Sequence, residues 1–277
     1  MSNPKPTTMD NPNSPTTPWT TVRYTGDESS HVDDVLTTEG PVEFRLGGVP
    51  VAVLMRTPGR DEQLGLGFVI SEGIVLGPEE VTGIQPVEGS ENGDRYDIIL
   101  ADGVKIDPEQ FRRNVFASSS CGVCGKASID AVLIACRTPP EGPIVSPRYV
   151  TELPVKMREA QKQFEITGAL HAAAAFTPAG ELLVLEEDVG RHNAVDKVIG
   201  SLAATRWPFG EVVLAVSGRI GFEITQKAAV AGIPFIAGVS GASSLASELG
   251  VQTGVTVIGF VRKDTFNVYS GHERVVR

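Results

Sequence analysis

The stretch EVVLAVSGRIGFEITQKAAVAGIPFIAGVSGASSLASELGVQTGVTVIGFV, residues 211–261, decides the fold of this chain. Three short runs rich in valine, isoleucine and leucine alternate in it with two segments of helical pattern. A strand–helix–strand order brings neighbouring strands together in parallel, because the helix carries the chain back across the sheet. The stretch therefore predicts a parallel sheet with helices packed on its faces.

The residues before this stretch extend the pattern. The segment HNAVDKVIGSLAAT, residues 192–205, predicts a helix, and the sequence from residue 169 predicts a β-hairpin around the turn TPAG. Nearer the N-terminus, apolar runs on both sides of Gly47-Gly48 predict another hairpin, and Asp61 is a plausible N-cap for a short helix. The predicted divisions are a disordered tail, a small α+β domain, a cysteine-containing connection and an α/β domain: residues 1–18, 19–115, 116–150 and 151–277.

The composition is typical of a globular protein. The chain has 277 residues, of which 41% are hydrophobic and 21% charged, so it can bury a sizeable core. A net charge of −10 disfavours a nucleic-acid partner, which would need a basic surface. No apolar run is long enough to span a membrane, no secretion leader is evident, and three cysteines do not form a disulfide framework. We expect a cytoplasmic protein with reduced thiols that binds neither nucleic acid nor membrane.

The stretch FASSSCGVCGKASID, residues 116–130, places Cys121 and Cys124 three positions apart. Structural zinc normally takes four ligands, but the third cysteine, Cys136, lies in an apolar helical segment. A zinc deaminase site combines H-x-E with P-C-x-x-C. Here a serine precedes the first cysteine, and no glutamate stands two residues after His171. We therefore predict no metal site.

Two sulfur chemistries remain open for these cysteines. A dithiol oxidoreductase normally has a strand leading into the cysteines within a βαβ unit, which FASSS does not provide. In a persulfide carrier, a thiolate accepts a sulfur atom and later passes it on, and a neighbouring thiol can expel that atom by forming a disulfide. Both thiols precede a predicted helix, whose dipole and Lys126 would lower a thiol pKa. On chemistry alone the two interpretations are equal.

Two strand ends in the second half are suited to an anion. Ser217–Arg219 and Ser240–Ser243 each join a predicted strand to a predicted helix through small residues. Ligands of such sheets bind beyond the carboxyl ends of the strands, where helix N–H groups favour phosphate and an arginine adds a bidentate contact. Arg262 and Lys263 follow the last strand in the same way. The alternative is tight turns with serine caps and an exposed basic turn. No G-x-x-x-x-G-K-[ST] motif is present, which disfavours NTP hydrolysis.

The densest polar cluster is EEDVGRHNAVDK, residues 186–197. Its order of charge, glycine, charge and imidazole exceeds what capping a helix requires. The alternative is a solvated, self-capped helix with Asp196 and Lys197 as surface charges. His171 stands in a run of alanines, where a packed, hydrogen-bonded imidazole is the alternative to a ligand-binding one.

Several of these motifs together resemble a known family. SSSCGVCGKAS, TGALHAAA, EDVGRHNAVDK, SGRIGFEITQKAAVAGIP, VSGASSLA and GFVRKDTFNVY occur in the order found in the formate dehydrogenase accessory sulfurtransferases, the FdhD family. The resemblance covers nearly the whole chain after the tail. It implies an α/β protein (α+β overall) with a cytidine-deaminase-like, three-layer C-terminal domain that lacks zinc, plus a smaller N-terminal α+β domain.

The resemblance also implies a function. The protein would take sulfur from a cysteine desulfurase as a persulfide and deliver it to a molybdenum cofactor, Mo-bis(molybdopterin guanine dinucleotide), destined for formate dehydrogenase. It would be a cytoplasmic homodimer, and a GDP-like nucleotide would occupy the cofactor site. Cys121 would carry the sulfur and Cys124 would assist transfer. The expected cofactor-binding residues are Phe260, Val261, Arg262, Lys263, Asp264, Thr265, Ser217, Gly218, Arg219, Ser240, His171 and His192. The competing hypothesis is a non-catalytic cofactor chaperone with structural cysteines.

Overall fold

A computed structural model describes residues 13–90, 93–106 and 141–277. Within these ranges the chain forms sheets of two, four and six strands. The strands are β1 Thr16–Thr25, β2 Glu28–Thr37, β3 Gly40–Leu46, β4 Val49–Arg56, β5 Val81–Pro86, β6 Arg95–Leu100, β7 His171–Phe176, β8 Leu182–Asp188, β9 Val213–Val216, β10 Phe235–Gly238, β11 Thr256–Gly259 and β12 Asn267–Ser270. The helices are α1 Asp61–Ser71, α2 Pro147–Ala160, α3 Lys162–Thr167, α4 Arg191–Ala203, α5 Phe222–Ala231 and α6 Ser244–Thr253, with short 3-10 helices at Pro78–Glu80 and His272–Arg274.

The two-stranded sheet is a long hairpin of β1 and β2 near the N-terminus. Its strands pair without a break from Thr16 opposite Thr37 to Thr25 opposite Glu28. Few of its side chains are buried, and the hydroxyl of Thr37 donates to that of Thr167 in α3 at 2.9 Å. The strand β1 begins within the stretch that the sequence analysis assigned to a tail ending at residue 18.

The four-stranded sheet has the order β4-β3-β6-β5, with β3 and β6 parallel and the other pairs antiparallel. The predicted hairpin at Gly47-Gly48 is confirmed, because Leu46 pairs with Val49 across it. Both glycines have positive φ, 57° and 81°, as a two-residue turn between right-twisted strands requires.

Helix α1 also forms where expected, but its start differs from the prediction. The residue before the helix is Arg60, at φ 63°, and Asp61 is the first helical residue. The Asp61 carboxylate accepts from the buried Arg56 guanidinium at 2.8 Å instead of capping the helix. The prediction of Asp61 as N-cap is therefore wrong, because a buried arginine takes up its carboxylate.

The six-stranded sheet has the order β12-β11-β10-β9-β7-β8. The strands β9, β10 and β11 are parallel and alternate along the chain with α5 and α6, which confirms the predicted pattern. The predicted hairpin is also confirmed as β7 and β8, but it joins β9 antiparallel, and β12 joins β11 antiparallel. The sheet is therefore mixed, with a parallel centre.

Helices cover both faces of this sheet. Along β7, Ala173 and Ala175 pack with residues of α4 and α5, while Ala172 and Ala174 pack with residues of α2 on the other face. This is the alternation that a strand buried on both faces requires. The helix α2 is amphipathic, and its Leu153 and Met157 are buried. The predicted division between residues 150 and 151 lies inside this helix.

A close helix crossing joins the small sheet to the large one. A Cβ on Gly67 of α1 would lie 1.7 Å from the carbonyl oxygen of Asp196, and one on Gly200 of α4 would lie 1.9 Å from that of Gln63. Only glycine allows the two backbones to meet at this distance. One hydrophobic cluster consequently runs from Phe44 in β3 through α1 and α4 to the large sheet.

Candidate functional site

One edge of the six-stranded sheet gathers the cofactor-binding residues predicted from the sequence. The parallel strands β9, β10 and β11 end there. Because β7 is antiparallel to β9, and β8 to β7, β7 begins and β8 ends at the same edge. Ser217–Arg219, Ser240, Phe260–Thr265, His171 and His192 all follow or start these elements. The topology therefore brings together residues that are up to 94 positions apart, from 171 to 265.

The two strand-end loops are bonded to each other. The backbone N–H of Ile220 donates to the Gly241 carbonyl at 3.0 Å, and that of Ser243 donates to the Ile220 carbonyl at 3.0 Å. The serines have structural partners. Ser217 accepts from the backbone N–H of Ala172 at 2.9 Å, and Ser243 caps α6. The capping interpretation therefore holds for Ser243, while Gly218 and Arg219 remain open to a ligand.

In the segment after β11, Phe260–Thr265, only some side chains are accessible to a ligand. Val261 is 1% exposed and belongs to the core. The Arg262 guanidinium donates to the carbonyls of Val239 and Val261, so it braces the loop. Phe260 has a positive φ of 53° and is 46% exposed. A Cβ on Gly241 would lie 2.7 Å from its ring, so the ring covers the neighbouring loop.

Lys263 and Asp264 point into a shallow groove of about 680 Å³ between this segment and α2. The groove carries both signs of charge, because Arg148, Lys156 and Glu152 of α2 line it as well. Its lining is therefore not specific to an anion. Arg262 donates to carbonyls of the loop, whereas the exposed Lys263 makes no such bond to the described residues.

The motif E-D-V-G-R-H-N-A-V-D-K is largely a buried connection between the two halves of the chain. The fully buried Asp188 carboxylate lies 2.7 Å from Lys197 Nζ and accepts from the Thr57 N–H at 3.1 Å. Its other oxygen accepts from Gly190 N–H at 2.8 Å and Asn193 Nδ2 at 3.0 Å. The interpretation of Lys197 as a surface charge is wrong, since Lys197 is 1% exposed.

A second buried ion pair lies on the same helix. Lys227 Nζ of α5 is 2.9 Å from Asp196, 2.9 Å from Glu72 and 3.0 Å from the Ser71 hydroxyl. Burial lowers the pKa of Lys227, but the nearby charges of Asp196 and Glu72 outweigh it and raise that pKa above its ordinary value. Asp196 is 2% exposed, so the prediction of a surface charge there is also wrong.

Two histidines lie beside these networks without joining them. The imidazole of His171 makes no hydrogen bond within the described ranges, contrary to the packed, hydrogen-bonded alternative. Burial, and then Arg191, lower its pKa, while Asp188 opposes the shift. His192 Nε2 is buried, makes no hydrogen bond to any described residue and lies 3.7 Å from Glu223. Burial lowers the pKa of His192 to about 3, with Arg191 and Lys227 adding to the effect. Both rings are neutral at pH 7.

Arg191 was not among the residues predicted for the site, but it lies beside them. This first residue of α4 is partly buried, and its Nε has no hydrogen-bond partner in the described part of the chain. A Cβ on Gly218 would lie 3.5 Å from Arg191 Cβ and 3.2 Å from His171 Nδ1, so the three residues are neighbours. The arginine stands beside His192 in the quoted motif, but only the fold brings it next to the loop after β9.

The predicted sulfur site cannot be placed in this arrangement. Cys121, Cys124 and Cys136 lie outside the described residues, as does the helix predicted to follow the cysteine pair. Across the described ranges, no three His, Cys, Asp or Glu side chains are grouped to hold a metal ion. None of the helices in those ranges is both long and apolar enough to cross a membrane.

Comparison with known proteins provides a family for this arrangement. Residues 37–276 match the sequence model described as the FdhD/NarQ family. A protein named sulfur carrier protein FdhD from Streptomyces coelicolor is 47% identical over 253 residues, which cover 87% of this chain and 89% of that protein. The protein of the same name from Mycobacterium tuberculosis is 46% identical, over 87% of this chain and 92% of its own length.

A solved structure has the same fold. It is a crystal structure of a putative formate dehydrogenase accessory protein from Desulfotalea psychrophila, with a TM-score of 0.74 and 23% sequence identity. The match covers 93% of this chain and 97% of that one. The family match begins at the end of β2 and spans the hairpins of β3 and β4 and of β7 and β8, α1, the polar motif of α4 and every strand-end loop described above. This chain therefore belongs to the FdhD/NarQ family.

Proposed function

We propose that this protein is a sulfur carrier that acts in the maturation of formate dehydrogenase. The observation that carries the proposal is the 47% identity, over 87% of the chain, to a protein named sulfur carrier protein FdhD. The sequence has two thiols, Cys121 and Cys124, in a setting of glycine and serine that suits sulfur chemistry.

The proposed chemistry begins with the Cys121 thiolate. It attacks the outer sulfur of a persulfide on a cysteine desulfurase, forms Cys121–S–SH and releases the donor cysteine as a thiolate. The Cys124 thiolate then attacks the inner sulfur of Cys121 and expels the outer atom as hydrosulfide toward the acceptor. This leaves a Cys121–Cys124 disulfide, which a cellular thiol reductant returns to two thiols by supplying two electrons.

The proposed acceptor is Mo-bis(molybdopterin guanine dinucleotide), held as substrate at the edge of the six-stranded sheet. Exposed Phe260 and Lys263 offer a ring and a cation to such a ligand. Val261 lies in the core and Arg262 bonds to carbonyls, so these two residues would contribute backbone groups or loop shape. A GDP-like nucleotide would occupy the same edge. The cytidine-deaminase-like arrangement, the homodimer and the cytoplasmic location stay predictions alongside this one.

The proposal is tested by the mass of the intact, reduced protein after incubation with a cysteine desulfurase and free cysteine. We expect a gain of one sulfur atom that reductant reverses, that Cys121→Ala abolishes and that Cys124→Ala retains. Cys121→Ala should also fail to activate formate dehydrogenase in cells while still binding GDP. A gain of sulfur that survives in Cys121→Ala would move the carrier role to Cys124. Full activation of formate dehydrogenase by Cys121→Ala would refute the carrier role of Cys121.

The second candidate function is a cofactor-binding chaperone with structural cysteines. It is favoured by the number of predicted cofactor residues that the fold gathers at one sheet edge, independently of any thiol. This function predicts no sulfur gain in any form of the protein and weaker GDP binding by Cys121→Ala. The mass measurement and the GDP titration therefore separate the two functions.

A further inference from the structure

A cavity of about 460 Å³ lies beside β8, between the loop before α1 and the junction of α2 and α3. The strand β8 is the edge strand of the six-stranded sheet on the side away from β11. Four strand spacings separate β8 from β11, so the two strands are about 19 Å apart. The cavity is therefore separate from the segment Phe260–Thr265 and from the cofactor site proposed there.

Part of the lining of this cavity is apolar. The apolar side chains come from the residues before β1, the loop before α1, the end of α2 and the hairpin of β7 and β8. They are Pro15, Pro58, Ala160, Leu170 and Leu185. A concave site of this size that combines apolar walls with a few polar groups is typical of small-molecule binding. The cavity thus offers an apolar surface to one part of a ligand.

Most charges around the cavity are paired with one another. The Glu186 carboxylate accepts from Arg60 Nε at 3.0 Å, and Lys197 Nζ lies 2.7 Å from Asp188. Each oxygen of Glu187 accepts from a backbone N–H in the first turn of α3 at 2.8 Å. The cations and acids of this region balance, with Arg60, Lys162 and Lys197 against Glu186, Glu187 and Asp188. A ligand without net charge suits this balance better than a polyanion.

Two polar groups of the lining have no partner among the described residues. Lys162, the first residue of α3, is exposed and forms no ion pair with them. The next residue, Gln163, has its side-chain oxygen Oε1 buried without a donor from the described part of the chain. Folded proteins satisfy nearly all buried polar atoms, because an unpaired one loses its hydration without a replacement. The cavity therefore lacks an anionic group for Lys162 and a hydrogen-bond donor for Gln163.

The two unpaired groups belong to consecutive residues, so a ligand that satisfies both carries its anion and its donor close together. An α-amino acid carries both on one carbon atom and has no net charge when its side chain is apolar. We infer that this cavity binds a free α-amino acid with an apolar side chain. Its carboxylate pairs with Lys162, its ammonium donates to Gln163 Oε1, and its side chain packs against Leu170 and Leu185. This inference does not depend on the proposed sulfur chemistry.

The first test is calorimetric titration of the full-length protein with L-leucine. We expect the wild type to bind it and Lys162→Gln to bind it about tenfold or more weakly, because that variant loses a charge-assisted hydrogen bond. The matched control is Lys105→Gln, since Lys105 is also exposed but does not line the cavity. It should bind L-leucine like the wild type. Equal losses in both variants, or no binding by the wild type, would overturn the inference.

A second variant keeps every charge. Gln163→Leu replaces the unpaired acceptor with an apolar side chain of similar size and should also bind L-leucine about tenfold more weakly, since the ammonium loses its acceptor. Its melting temperature should not fall below that of the wild type, because Gln163 Oε1 has no described partner to lose. Wild-type affinity of Gln163→Leu for L-leucine would contradict the inferred contact and overturn the site.

Analogues of leucine test which group of the ligand meets which residue. Isocaproate lacks the ammonium and isoamylamine lacks the carboxylate, and both are measured as competitors of L-leucine. We expect Gln163→Leu to bind isocaproate as the wild type does, and Lys162→Gln to bind isoamylamine as the wild type does, because the partner group is already absent. A further loss in either pair would overturn the inferred contacts. L-Aspartate should compete more weakly than L-leucine, and equal competition would refute an apolar side-chain site.

Discussion

The buried middle of α4 and its first turn use similar residues in opposite ways. In the middle, Lys197 and Asp196 pair with Asp188 and Lys227 at 2.7 and 2.9 Å and are at most 2% exposed. In the first turn, Arg191 and the imidazole of His192 have no hydrogen-bond partner among the residues that the structure describes. Paired buried charges fix one arrangement of the chain, whereas unpaired donors are available to a ligand. A single motif thus connects two halves of the fold and leaves unpaired polar groups at the start of the helix.

The largest effect is expected when Asp188, the buried partner of Lys197, is removed. Asp188→Ala leaves Lys197 buried without its counter-charge and deprives Thr57, Gly190 and Asn193 of an acceptor. We expect a loss of about 3–5 kcal/mol in the free energy of unfolding, measured by urea titration. Asp33→Ala, in the exposed hairpin strand β2, is the control and should leave the urea midpoint unchanged. An Asp188→Ala protein as stable as the control would show that the pair is not structural.

A smaller effect is expected at the helix crossing that supports both regions. Gly67→Ala drives a methyl group into the Asp196 carbonyl, so α1 and α4 must separate. We expect the free energy of unfolding to fall by about 3 kcal/mol, as in other overpacked cores. Gly83→Ala is the control, because its nearest neighbours would be 3.9 Å away. Equal melting temperatures of the two variants would contradict the close crossing.

The smallest effect is expected at His192, whose unpaired imidazole should make the stability of the protein depend on pH. Its pKa is about 3 in the folded protein, below the ordinary value of 6.5, so protonation favours the unfolded chain. The contribution of neutral His192 to the free energy of unfolding is complete above pH 6.5. It is lost as the pH falls toward 3, by up to about 1.4 kcal/mol per pH unit. His192→Gln should match the wild type at pH 8 and lose less stability on acidification to pH 5. Parallel pH profiles in urea titrations would contradict a buried, neutral imidazole.

Much of the fold could be predicted because it follows local periodicity. The alternation of apolar strands and helices after residue 211 and the hairpin at Gly47-Gly48 both appear in the structure. The hairpin of β1 and β2 was not predicted, since its strands are rich in polar residues and bury few side chains. Asp61 was misassigned because its partner, Arg56, lies in a strand that only folding brings to the helix start.

The sequence by itself determined the mixed α/β class and the family motifs, because the alternation of strands and helices and the turn chemistry are local properties. Only the tertiary structure decided which charges of α4 are paired and which remain open. Lys197 was predicted to be a surface charge. Instead it donates to the carbonyl of Thr57, 140 positions earlier in the chain, and its partner Asp188 accepts from the Thr57 N–H. Arg191 lies beside Gly218 and His171 only because β7 and β9 are neighbours in the sheet. Burial and pairing depend on contacts between distant segments, and no pattern within one segment specifies them.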